Sequence, residues 1–156
     1  MKLQDPVQVK IGEYNYYIRP FPAFKAANIS GEVVSVVMPI LGAALPLMGA
    51  NTVGSIMDQD ISELSPAITK GFESLSGDKC EKLLRDLLIR NGNIAVEIEG
   101  EAKTLDEDLS NVVFCGEIQD MYILAFNVIK VNYGGFFKKL GDQSGKVAEL
   151  ITKNAL

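Results

Sequence analysis

The 156 residues carry 22% charged and 47% hydrophobic side chains, the balance of a globular chain and neither a disordered nor a fibrous one. The net charge of −5 and scattered basic residues, with Lys138-Lys139 the only tight pair, exclude a phosphate backbone as the expected partner, so nucleic acid is not anticipated. Histidine is absent, which removes the commonest general base, the commonest metal ligand and the Ser-His and Cys-His nucleophile pairs.

The chain opens as a β-hairpin within residues 1–20. Val7, Val9 and Ile11 alternate with Gln8 and Lys10, Gly12-Glu13 turns, and Tyr14, Tyr16 and Ile18 alternate again. Arg19-Pro20-Phe21-Pro22 stops the strand, and Pro22 suits the first position of a helix running through Ala23 to Ile29. Ser30-Gly31 either interrupts that helix or lies in it at about 1 kcal/mol for the glycine. Beyond Asp58-Gln59-Asp60 a short helix is expected near Ser62 to Leu75. Asp78 with Glu81 reads as a capping box for the next helix, whose Leu83, Leu84, Leu87 and Leu88 share one face. Asn91-Gly92 ends it, and alternation of Ile94, Val96 and Ile98 with a turn at Gly100 predicts a second hairpin near 93–105.

Thr104 or Asp106 then caps a short acidic helix leading to Phe114. Ile118, Met121, Tyr122, Ala125, Val128 and Ile129 follow the 3.6-residue period of an amphipathic helix, which Asn132-Tyr133-Gly134-Gly135 is expected to end. Phe136–Leu140 begins another turn or helix, and a last weak helix spans about Ser144 to Lys153. The fold class expected is mainly α (α+β), a single domain over 1–156 with a weakly ordered tail over 141–156.

Chemical motifs fail on inspection. Asp106, Asp108, Ser110 and Glu117 match four positions of a calcium loop, but Asn111 stands where the sharp turn wants glycine. Gly141 to Val147 is one residue short of a phosphate loop, lacks its final Ser or Thr, and reads as a flexible loop. Cys80 and Cys115, 35 positions apart with no CxxC spacing, read as reduced thiols. The first residues, MKLQDPVQVKIG, carry no apolar run of a secretory signal, which predicts a cytoplasmic protein. No catalytic residue, metal ligand or cofactor is expected.

The exceptional feature is Val33–Met57, VVSVVMPILGAALPLMGANTVGSIM, which has no charge at all. A short repeat runs through it, with Pro39 and Pro46, and Gly42 and Gly49, each seven apart. Each proline inside a helix costs about 3 kcal/mol, so two short helices or a kinked hairpin are expected in place of one helix. Three roles stay open: core, partner surface, or a membrane span, for which the length suffices.

The order of hairpin, then YYIRPFPAFKAANISGE, then PILGAALP resembles the tail assembly chaperones of long-tailed bacteriophages. So does the block FCGEIQDMYILAFNVIKVNYGGFFKKLG, with its Phe-x-Gly start, amphipathic helix, Asn-Tyr and Phe pair. Phe114, Tyr122, Phe126, Phe136 and Phe137 are equally candidates for core aromatics. The resemblance implies a non-enzymatic protein of the infected host cytoplasm, absent from the mature virion. It would bind the tape-measure protein, keep it soluble and promote tail-tube assembly. It implies too a frameshifted longer form that contacts the tail-tube protein, while self-association is expected from the uncharged stretch itself, too long for the core of so small a domain. On this view Val36, Val37, Met38, Ile40, Leu41, Leu45, Leu47, Met48, Ile56 and Met57 form the partner surface, Met and small residues being able to repack on varied helices. The alternative is a small membrane-associated protein inserted through residues 33–57.

Overall fold

The computed structural model describes residues 5–48 and 61–154. The first alternating segment forms β1 (Val7–Ile11) and β2 (Tyr14–Ile18), paired antiparallel with Val9 opposite Tyr16. Gly12 in the turn has φ +59°, the left-handed conformation that a tight reversal needs and that L side chains resist. The second hairpin is also present: β3 (Ile94–Ile98) and β4 (Glu101–Thr104), joined at Glu99 and Gly100, both with positive φ.

The two hairpins are one sheet. β2 pairs antiparallel with β3, Tyr16 opposite Val96 and Ile18 opposite Ile94, giving the order β1-β2-β3-β4. Tyr16, Ile18, Ile94 and Val96 are buried on one face. On the other, the Tyr17 hydroxyl and the Asn15 amide both donate to Glu97 Oε2, at 3.2 and 3.5 Å.

Five helices occur among the described residues: α1 (Ala23–Met48), α2 (Ile61–Glu73), α3 (Gly77–Leu88), α4 (Glu107–Val113) and α5 (Ile118–Asn154). The protein is mainly α with a small sheet, 63% helical, as its patterning predicts. The carbonyl of Pro22 accepts from the Ala26 amide at 3.0 Å, so proline opens α1 from just outside it. Ser30-Gly31 lies within α1.

The break expected at the prolines does not occur at Pro39 or Pro46, since α1 is helical through to Met48. Val33, Val36, Val37, Ile40 and Leu41 form an i, i+3, i+4, i+7, i+8 stripe, and all five are buried. Each such burial contributes roughly 1.5–3 kcal/mol, which together outweigh about 3 kcal/mol per proline. Pro39 itself sits on the solvent side. The stripe meets α2 at Gly71, where an added Cβ would overlap Ile40 Cγ1 and stand 3.1 Å from the Val36 carbonyl oxygen.

α3 begins two residues earlier than the Asp78 capping box predicts. Ser76 is extended, with ψ 154°, and its hydroxyl accepts from the Lys79 amide, leaving Asp78 in the first turn. Leu83, Leu84, Leu87 and Leu88 are buried as their spacing requires, and so is Asp86, held between Lys82 at 3.3 Å and Arg90 at 3.0 Å. Lys82 also reaches Glu32 of α1 at 2.7 Å. Of the two cap candidates for α4, Asp106 takes the role, accepting from the Leu109 amide at 2.8 Å.

The largest departure is at α5. It does not stop at Asn132–Gly135, and no separate helix starts at Ser144, because the backbone stays helical from Ile118 to Asn154. Gly141–Val147 is therefore helix and neither a flexible nor a phosphate-binding loop. Buried Tyr133 and Phe137 flank the glycine pair, and a helical glycine costs about 1 kcal/mol, less than either burial supplies. Asn132 is no turn residue. Its side-chain amide donates to the Val128 carbonyl at 2.9 Å, while its Oδ1 accepts from the Phe21 amide at 2.7 Å. One turn of α5 thus carries two ties to the start of α1, since the Tyr133 hydroxyl donates to the Ala26 carbonyl.

Candidate functional site

The residues expected to form a partner surface divide in three. Val36, Val37, Ile40 and Leu41 are core, so the same stripe that keeps α1 intact withdraws them from any partner in this conformation. Met38 points outward and is 52% exposed. Leu45, Leu47 and Met48 continue the α1 helix, while Ile56 and Met57 lie outside the described residues.

The aromatic residues divide likewise. Phe114, Phe126 and Phe137 are buried, Tyr122 partly so, and Phe136 is exposed. Phe24, at the start of α1, is 93% exposed.

Sequence periodicity does not reveal an apolar groove of about 420 Å³ among α2, α3, α4 and the first turns of α5. Its floor is apolar, with Phe72, Leu84, Leu88, Met121 and Tyr122. Phe72 and Tyr122 stack with ring centroids 5.1 Å apart, which fixes the floor where α2 meets α5. Ile118 stands at its edge, 55% exposed, although its spacing puts it on the apolar stripe of α5. The rim carries Glu73, Glu81, Arg85 and Glu107. Arg85 is bound on both sides, to Glu81 through Nε and to Glu107 through a terminal nitrogen, each at 3.0 Å. The Arg85 partner holds the Glu107 carboxyl below its ordinary range. A pairwise signal for this groove did exist, in Cys80, Leu84 and Leu88 at i, i+4 and i+8. It was hidden because the other walls come from separate helices.

The groove offers little reactive chemistry. Burial pushes the Cys80 thiol above its ordinary value, and the Tyr122 hydroxyl opposes that only in part, so Cys80 is a neutral piece of apolar wall at neutral pH. Among the described residues no three His, Cys, Asp or Glu side chains stand together as a metal-binding group. Asp106, the first residue of the calcium-like spacing, is committed to its helix cap.

A small antiparallel sheet is thus backed by long helices, and an apolar groove with an acidic rim opens among four of them. The chain matches the family of the phage tail assembly chaperone protein, TAC, over residues 12–145, and it belongs to that family. No curated protein and no solved structure matches it. Membership gives the chain a role in phage tail assembly inside the host cell, with tail proteins as its partners. The match spans both sequence blocks that carry the resemblance, and Asn132 and Tyr133 are where the structure ties one to the other.

Proposed function

We propose that the protein is a non-enzymatic chaperone that binds the tape-measure protein, keeps it soluble and promotes assembly of the tail tube around it. It acts in the host cytoplasm, self-associates, and leaves before the particle matures. The observation that carries this is membership of the tail assembly chaperone family across residues 12–145. The exposed apolar residues Phe24, Met38, Ile118 and Phe136 support it, because a holdase works through apolar surface that is available without unfolding. Met38 keeps a part for the uncharged stretch in partner binding, while its buried neighbours serve the fold.

Co-expression with the tape-measure protein encoded by the same phage tests the proposal. The soluble yield of the tape measure should rise severalfold, and the two chains should copurify. No gain in soluble tape measure at comparable expression would refute the role.

Membrane insertion is the second reading. It is favoured by Ala23–Ala43, which is long and apolar enough to cross a bilayer by length and composition. Against it, that window contains Lys25 and Glu32, and its most apolar stripe is already buried against α2. Recovery of the protein in the membrane fraction, resistant to carbonate extraction, would favour insertion.

A further inference from the structure

We propose that the groove among α2, α3, α4 and α5 is the seat for one amphipathic helix of the tail-protein partner, a helix whose apolar face is flanked by lysine or arginine. The inference rests on the chaperone reading and adds to it a site and a partner chemistry. The floor is apolar, with Phe72, Leu84 and Leu88 buried at its base, Met121 and Tyr122 half-buried above them, and exposed Ile118 extending it at the edge. Helix-in-groove recognition needs such a floor for the i, i+3, i+4, i+7 anchors.

Charge complementarity selects the sign of the occupant. Three carboxylates, Glu73, Glu81 and Glu107, face the groove against the single cation Arg85, which is already shared between Glu81 and Glu107. Glu73 has no ion pair among the described residues, so an incoming cation gains there without breaking an existing bridge. A helix flanked by carboxylates would meet three like charges, and an uncharged apolar helix would leave the rim unused.

The test uses fluorescein-labelled 30-residue peptides tiling the tape-measure protein of the same phage, titrated with the full chain in fluorescence anisotropy. The tightest binders should be amphipathic and Lys/Arg-flanked, and replacing their flanking cations by Glu should weaken binding about tenfold or more. Ile118→Asp should weaken them about tenfold, and Glu73→Lys should erase the preference for cationic flanks, both with an unchanged circular dichroism spectrum. Both sites are exposed, so the fold is not at stake.

Binding that is indifferent to Ile118→Asp and Glu73→Lys overturns the groove assignment. The chaperone reading survives that result if both variants still solubilise the co-expressed tape measure. If no peptide binds and the wild type also fails to solubilise the tape measure, the chaperone reading itself falls, and the groove proposal falls with it. A wild-type dimer that Ile118→Asp converts to monomer shows that a second copy fills the groove, which also overturns the proposal.

Discussion

Gly71 and Asn132 show how single residues decide the packing here. At Gly71 the absent side chain is what lets α1 and α2 approach, because a methyl there would overlap Ile40 and crowd the Val36 carbonyl. Gly71→Ala is expected to cost about 1–3 kcal/mol by overpacking, even though alanine is the better helix former. In a double-mutant cycle, Ile40→Ala should relieve much of that penalty, giving a coupling above about 0.5 kcal/mol. Additive losses in urea denaturation would show that the clash is not the cause. Asn132→Ala removes the acceptor of the Phe21 amide and should cost about 1–3 kcal/mol, whereas Asn132→Asp, which keeps an acceptor, should cost less. Equal losses for the two would place the effect in the helix and not in the tie to α1. In the sequence Gly71 is an unmarked position inside the helix expected near Ser62 to Leu75, and Asn132 reads as part of a stop signal, Asn-Tyr-Gly-Gly. Their actual partners lie on other helices, which no local pattern encodes.

The elements were legible to differing degrees. Both hairpins could be read from two-residue alternation and turn residues, and α3 from its leucine spacing, because those signals arise within the element. The lengths of α1 and α5 could not. Proline and glycine predicted breaks on intrinsic cost alone, and the tertiary burial of Val36, Ile40 and Phe137 overrode that cost. Between elements, Arg85 clips α3 to α4 through Glu107, and its effect on stability should depend on pH. Glu107 ionises below its ordinary value of 4.5 in the folded chain, so its contribution is present above 4.5 and is lost as pH falls through the depressed value. The melting temperature of Glu107→Gln should therefore lie slightly below wild type at neutral pH and converge with it in acid. Added salt should shrink the gap, since Glu107 is exposed and Arg85 only half-buried. A gap that persists unchanged in acid would rule the ion pair out as its source.

Across the whole molecule, the core is one cluster that draws on the sheet and all five helices, and its last described member is Phe137. Truncation after Lys146 cuts α5 beyond that residue, so the shortened chain should stay folded with a loss below about 0.5 kcal/mol. Helical signal should fall only by the residues removed. A cooperative loss of the near-ultraviolet spectrum would show that the end of α5 is needed by the core. This tolerance is what a frameshifted longer form requires, and the gene is expected to carry a slippery heptamer overlapping a second open frame. Absence of any overlapping frame in the gene would remove that longer form and leave the binding role intact.

By itself the sequence determined the mainly helical class, the two hairpins, the leucine face of α3 and the family, because each is carried by spacing along the chain or by blocks of contiguous residues. Tertiary structure alone decided the joining of the hairpins through Tyr16 and Val96, the persistence of α1 through its prolines, and the assembly of an acidic-rimmed groove from four helices. The physical reason is the same in each case. Pairing across a sheet and burial between helices are free energies of residues far apart in sequence, and each is large enough to override the local preferences that a sequence displays.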